Sequence, residues 1–390
     1  MTPIPSLRHR TADQTPRRAL PLTFHVSRFR RGSRQIGLGI AVQTTQRGSV
    51  DPNQPLTQQS PTQPTTTTAI MSSTRPKPNN LSLSSTPAQP QASATITHDN
   101  SRVTATLPTG ESVEVLLYGA TVVSWKDKGG EKLWVSEGAD LNGGSAVRGG
   151  VPLVFPVFGK SSDHPATDAL PQHGFARTSR WEFLGKSTTE SDGKGGDGGV
   201  KLDFGLGPEN LSAEARAAWK GEFGLIYSVA LSRGSLRTSM LVRNDGGKAW
   251  DFQVLMHTYL RVKDISTTTV EGLAGAPYFD KVTASAATAP SSPAALSITG
   301  ETDRVYTPAS VSTTLTVSSN GTPAFEVVRE NFENVVVWNP WEEKAKGIKD
   351  FAPKDGWKQM LCVEAGQVAG WTKLEGGDAW EGGVTIKALL

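Results

Sequence analysis

The sequence predicts an all-β protein, a large antiparallel β-sandwich with few short helices, and three observations carry that expectation. From Ala94 onward, β-branched and aromatic residues alternate with polar ones in runs of strand length. Turn signals such as Pro108–Gly110, Lys128–Gly130, Arg233–Gly234 and Asp245–Gly247 punctuate those runs at short intervals. The one stretch with a helical look, "PENLSAEARAAWK" (Pro208–Lys220), has apolar spacing too irregular for a core helix and is expected to cap an end. Many strands with few helices bury their apolar faces most simply as two packed sheets.

Residues 1–90 stand apart from that pattern. They are rich in Arg, Pro, Thr, Ser and Gln, end in tracts such as "PNQPLTQQSPTQPTTTT", and show neither period, so the expected state is disorder. Residues 1–70 hold nine arginines against Asp13 and Asp51, so the net +3 of the chain leaves the remainder acidic. Three readings compete for this segment. An Arg-rich, acid-poor stretch resembles a mitochondrial transit peptide. "IGLGIAV" (Ile36–Val42) suggests a secretory core but lies too deep in the chain. The favoured reading starts the protein at Met71 and places it in the cytoplasm, with a mitochondrial location following only from a genuine transit peptide.

Residues 91–390 read as one domain. "SRVTATLPTGESVEVLLYGATVVSWKDKGGEKLWVS" supplies the first strands. "GLIYSVALSRGSLRTSMLVRNDGGKAWDFQVLMHTYLRV" gives two strands around Arg233–Gly234 and a third after Asp245–Gly247. "VSTTLTVSSN", "AFEVVRE", "NVVVWNP" and "KQMLCVEAG" continue the series, and "STTESDGKGGDGGV" (Ser187–Val200) reads as a surface loop. The single cysteine, Cys362, excludes an internal disulfide. No apolar run reaches bilayer length. Neither a nucleophile elbow, a Walker loop nor a zinc-ligand spacing is present, so no other catalytic motif competes. The domain does not interleave basic and aromatic residues as a nucleic-acid surface would. Nothing calls for more than a monomer.

Period-2 parity selects the candidate functional residues. In "DFQVLMHTYLRV", Gln253, Leu255, His257, Tyr259 and Arg261 share a face whose mixture of polar and apolar groups suits a cleft wall. In "QMLCVEAG", Met360, Cys362 and Glu364 share a face. A carboxylate ending an apolar strand is costly to bury without a partner, so Glu364 is either at the rim in water or placed deliberately. Cys362 has no neighbouring base or cation in sequence and reads as packing. Arg148 precedes two glycines whose backbone could turn sharply and approach a ligand. Gln172, His173, Arg177 and Arg180 lie in a second loop, "PQHGFARTSR". Two loops of arginines around a His and a Gln would suit an anionic, hydroxyl-rich ligand, since guanidinium grips phosphate with two parallel donors. Ordinary surface arginines and a structural histidine remain the plain alternatives.

"RGGVPLVFPVFG", "QHGFAR", "MHTYLRV", "TDRVY", "VVVWNPWEEKAKGIKDF" and "CVEAG", in that order from about Ala94 to Val384, resemble the glucose-6-phosphate 1-epimerases of the galactose-mutarotase-like superfamily. That resemblance implies a β-sandwich with a cleft on one face and no metal or organic cofactor. It implies His257 and Glu364 as the catalytic pair, Arg148, Gln172 and Arg177 as substrate-binding residues, Asp303 as a holder of sugar hydroxyls, and His173 near the ring. The expected substrate is a hexose 6-phosphate whose anomers exchange through ring opening. Glu364 would take the C1 hydroxyl proton and His257 would protonate the ring oxygen, from opposite sides of the sugar. Two other readings stay open: an aldose 1-epimerase for unphosphorylated sugars, and a non-catalytic carbohydrate-binding sandwich with Trp338 and Trp341 as an aromatic platform.

Overall fold

The computed structural model describes residues 91–160, 164–188, 198–289 and 295–389, so the expectations for residues 1–90 and for most of the Ser187–Val200 loop lie outside the described residues. Three antiparallel sheets make up the described chain. Five strands from Ser93–Thr97 to Gly130–Glu131 form consecutive hairpins in the first. Nine strands form the second, with Ser235–Asn244 pairing Phe223–Ser232 on one side and Ala379–Ala388 on the other. The third has Met360–Leu374 near its centre, flanked by Asn334–Asn339 and Trp250–Met256 and extended outward by Thr302–Tyr306 and Pro277–Asp280.

Burial patterns explain the layering. Phe223–Ser232 alternates buried and half-buried residues along its ten positions, as expected of a strand with one face on the core. Asn334–Asn339 is instead buried at all six positions, so both of its faces are covered. The core joins the second and third sheets: Phe252 of the third packs edge-on against Trp380 of the second at 5.6 Å. Among the described residues no helix is long and apolar enough to cross a membrane.

Two local expectations need correction. "DFQVLMHTYLRV" is not one strand but two, Trp250–Met256 and Tyr259–Arg261, with His257 and Thr258 between them. The His257 N–H donates to Pro152 O at 3.0 Å, in step with the Met256–Leu153 pairing. Pro208–Lys220 carries only a 3₁₀ turn and the six-residue helix Ala213–Ala218, capped by Ser212, with no buried residue in either. It is also not the sole helix, since Trp341–Gly347 forms another. Seven residues are too few to show a 3.6 period, and the helix is started instead by Asn339 Oδ1, which accepts the Trp341 N–H at 2.8 Å.

Candidate active site

The floor of the cleft is a cross-strand row of the third sheet. Tyr259 pairs with Cys362, Cys362 with Trp338 and Trp338 with Asp303, so all four side chains share one face. Glu364 lies two residues along from Cys362 and shares that face. The pairs Met256–Ala365 and Tyr259–Cys362 bracket one continuous register, which places His257 directly opposite Glu364. His257 Nδ1 and Glu364 Oε1 are 3.4 Å apart.

This contact corrects the expected geometry. The two groups do not face each other across a sugar; they stand side by side on the floor.

Packing fixes both groups. The His257 ring lies nearly parallel to Tyr259 at 4.7 Å and edge-on to Trp338 at 5.9 Å, with the His173 ring at 6.1 Å. The His257 side chain is 12% exposed and that of Glu364 1%. His257 Nδ1 and Glu364 Oε2 are buried polar atoms without hydrogen-bond partners in the chain. Burial pushes the Glu364 carboxyl well above its ordinary range, reinforced by Asp303 and opposed by Lys281. Burial likewise pulls His257 well below the ordinary imidazole range, with His173, Arg177, Arg148 and Lys281 adding to the effect.

The arginines meet the floor from the loops. Arg148 Nε contacts Asp350 Oδ1 at 3.3 Å and its Nη1 donates to the Tyr259 hydroxyl at 3.4 Å. Burial opposes its charge, but Tyr259 and Asp350 outweigh burial and hold it above the ordinary guanidinium value. Arg177 Nη2 donates to Gln172 O at 2.8 Å, while its Nε is buried and unpartnered. Burial lowers Arg177 to about 10; the Arg148 charge adds to that, against the pull of Tyr259. Arg180 goes elsewhere, donating to Asn100 O at 2.6 Å.

His173 sits in the left-handed region at φ 68°. Its Nδ1 accepts the Gly159 N–H at 3.1 Å, which leaves the proton of a neutral ring on Nε2, beside the Gln172 amide at 3.4 Å. Gln172 itself is exposed at the rim. Asp303 is 15% exposed and paired with Lys281 at 3.3 Å. Burial raises its carboxyl, against the pull of Lys281. The structure therefore gathers His257, Glu364, Arg148, His173, Arg177 and Asp303 around one cleft, with Gln172 on its edge.

Two sequence expectations change here. The glycines after Arg148 serve the fold: a Cβ on Gly150 would come within 2.1 Å of Val122 O, and one on Gly149 within 2.4 Å of Val135 Cα. The close approach is to the chain's own strands. Trp338 and Trp341 offer no open platform, because Trp338 is 8% exposed behind the two site rings and Trp341 packs on Trp357 at 4.4 Å. Cys362 is wholly buried, and burial followed by the Glu364 charge holds its thiol well above the ordinary value. His257, Cys362 and Glu364 do bring donor atoms within 4.8 Å of one another, a set that could gather a metal. The cations already around them, Arg148, Arg177 and Lys281, oppose a further positive charge there.

Asp350, Phe158 and Lys281 were not selected from sequence. Asp350 lies within the quoted stretch "KGIKDF", and Lys281 follows Phe279 by two residues, the strand parity that marks a common face. Neither signal identifies a partner hundreds of positions away or across a sheet.

A model of the aldose 1-epimerase family matches residues 101–387, spanning the floor, both arginine loops and every residue of the cleft. The chain belongs to the aldose 1-epimerase family. A Cenchrus ciliaris protein described as a candidate glucose-6-phosphate 1-epimerase is 32% identical over 280 residues, covering 71% of this chain and 81% of the relative. A Salmonella typhimurium protein of the same description is 34% identical over 251 residues, covering 64% of this chain and 77% of the relative. Among solved structures, a candidate mutarotase from Salmonella typhimurium aligns with a TM-score of 0.62 at 25% identity, covering 77% of this chain and 95% of that one. A galactose 1-epimerase from Lactobacillus acidophilus shares the fold at 15% identity and a TM-score of 0.54, covering 76% and 97%. The all-β sandwich of the epimerase is thus the one expected from its sequence.

Proposed function

We propose that this epimerase interconverts the α and β anomers of hexose 6-phosphates, chiefly glucose 6-phosphate, with Glu364 and His257 as its proton carriers. The observation that supports a phosphorylated substrate is the unbalanced charge of the cleft. Arg148 has Asp350 as counter-charge, but the half-buried Arg177 has a carbonyl and a buried, unpartnered Nε. A phosphate dianion would complete both guanidiniums through charge-assisted hydrogen bonds.

Proton bookkeeping accounts for the pair. With one proton between them, Glu364 and His257 exist either as carboxylate and imidazolium or as carboxylic acid and neutral imidazole. The two arrangements have the same net charge. In ring opening, the carboxylate takes the C1 hydroxyl proton as the C1–O5 bond breaks, and the imidazolium delivers its proton to O5. The open aldehyde is then accompanied by the neutral pair. Rotation about C1–C2 presents the other carbonyl face, and the same transfers in reverse close the ring. Burial favours the neutral pair, so the cleft stabilises the proton arrangement that goes with the open-chain sugar. Asp303 would orient the sugar through its hydroxyls, and His173 Nε2–H is available to a ring substituent.

The family description favours a second reading, epimerisation of unphosphorylated aldoses by the same pair. One experiment separates them: α-glucose 6-phosphate and α-glucose are each offered with a dehydrogenase that oxidises the β anomer. The proposal expects acceleration with the phosphate ester at least tenfold greater in kcat/KM. Equal acceleration of both sugars would assign the second reading. No acceleration of either would refute catalysis and leave a binding module.

A further inference from the structure

Lys281 belongs to none of the motifs above, yet its side chain closes the far side of the cleft. It follows the strand Pro277–Asp280, next to the edge strand Ser285–Thr288 of the third sheet. Its backbone N–H donates to Asp303 O at 2.8 Å, and its Nζ lies 3.3 Å from Asp303 Oδ2. The ammonium also stands 4.6 Å from the centre of the Phe158 ring. Phe158 comes from the opposite edge, just beyond Leu153–Val154. Its N–H is fixed by Gln253 Oε1 at 2.9 Å, and its ring packs on His173 at 5.4 Å. A lysine held by a carboxylate and an aromatic face, at 33% exposure, is anchored rather than freely solvated.

The groups facing Glu364 define what that anchorage does. His257 stands opposite, Tyr259 and Cys362 lie on the floor beside it, and Asp303 and Lys281 lie toward the far edge. The adjacent strand Asn334–Asn339 contributes no titratable group. On Thr302–Tyr306, Arg304 is paired to Asp280 at 2.8 Å, on the opposite parity to Asp303. Glu364 thus has a neighbouring anion in Asp303, which works against its ionisation, and Lys281 works for it. The same ammonium works against protonation of His257 and His173.

We propose that Lys281 is a positioning residue for the acid–base reaction: anchored by Asp303 and Phe158, it holds the Asp303 carboxylate in place and supplies the positive charge that the buried Glu364 faces. The role rests on the proposed proton transfer by Glu364 and His257. It acts through those groups and requires no bond to the sugar.

The test is the pH profile of kcat for full-length wild type, Lys281→Met and Lys281→Arg with saturating hexose phosphate, the uncatalysed rate subtracted. Removing a cation favours protonation of every neighbour, so both limbs of the Lys281→Met profile move to higher pH. At neutral pH its kcat falls on the order of tenfold, short of the roughly 10²–10⁴-fold that an acid–base group supplies. Lys281→Arg keeps both limbs where the wild type has them. A folded Lys281→Met whose limbs coincide with wild type overturns the proposal, whatever its KM; so does a profile that Lys281→Arg displaces equally. If Lys281→Met is inactive at every pH, infrared titration of its carboxyl groups decides, with the band lost in Glu364→Gln expected at higher pH than in wild type and an unmoved band refuting the role. A wild type without mutarotase activity would instead refute the catalytic reading.

Discussion

Glu364→Gln tests the site from two directions at once. The substitution conserves volume and leaves the strand pairing intact, but the amide can neither accept the hydroxyl proton nor return it. Positioned acid–base groups contribute about 10²–10⁴-fold, so kcat should fall by that factor, equivalent to roughly 2.7–5.4 kcal/mol of barrier. Stability should move the other way. Glu364 is 1% exposed with Oε2 unpartnered, and its folded carboxyl titrates above the unfolded one. Wild type therefore loses stability as pH climbs from the ordinary carboxylate value, about 4.3, toward the raised folded value. Glutamine does not titrate and is spared that loss. At neutral pH the variant should be more stable by on the order of 1 kcal/mol, a fraction of the usual cost of an unsatisfied buried polar group. The advantage should vanish below the ordinary carboxylate value, where both chains bury a neutral side chain. The coupled anomerisation assay reads kcat, and urea unfolding at acid and neutral pH reads stability. A kcat within tenfold of wild type refutes the proton-carrier role. A stability difference that does not change with pH refutes the electrostatic account of the buried carboxyl.

The remaining predictions concern binding and the scaffold. Arg177→Ala should raise KM for glucose 6-phosphate roughly tenfold to a hundredfold, the worth of a charged hydrogen bond, and leave turnover of unphosphorylated glucose unchanged; equal effects on both sugars would remove the phosphate role. Arg148→Ala should do the same and also free Asp350, so the double variant should lose less than the product of the two losses. Cys362→Ala should cost about 1 kcal/mol in urea unfolding and keep kcat within a few-fold, and a hundredfold loss would reassign the thiol to the chemistry. Asn339→Ala should destabilise by about 2–4 kcal/mol, since its buried amide donates to Trp357 O and Met360 O and accepts the Trp341 N–H; a change under 1 kcal/mol would show that these groups find other partners.

Alternation in the sequence determined the sandwich, because a strand that buries one face writes its period directly into the chain. It also put His257 with Tyr259 on one face of their strand and Cys362 with Glu364 on one face of theirs, since parity is local. The family motifs pointed to the arginine loops and Asp303 for the same reason: each is a short contiguous stretch. What the sequence did not contain was the register between strands. That register sets His257 beside Glu364 rather than across a sugar from it, because it depends on which backbone groups bond across the sheet. Burial was equally out of reach, and burial rather than residue type raises Glu364 and lowers His257. The two glycines after Arg148 could be read as room for a ligand until Val122 and Val135 filled it. Lys281 was one lysine among many until the fold set it beside Asp303 on the neighbouring strand and brought Phe158 to it from the far edge of the sheet. Parity is a property of neighbours along the chain, whereas charge and desolvation act through space, and only the folded chain fixes those distances.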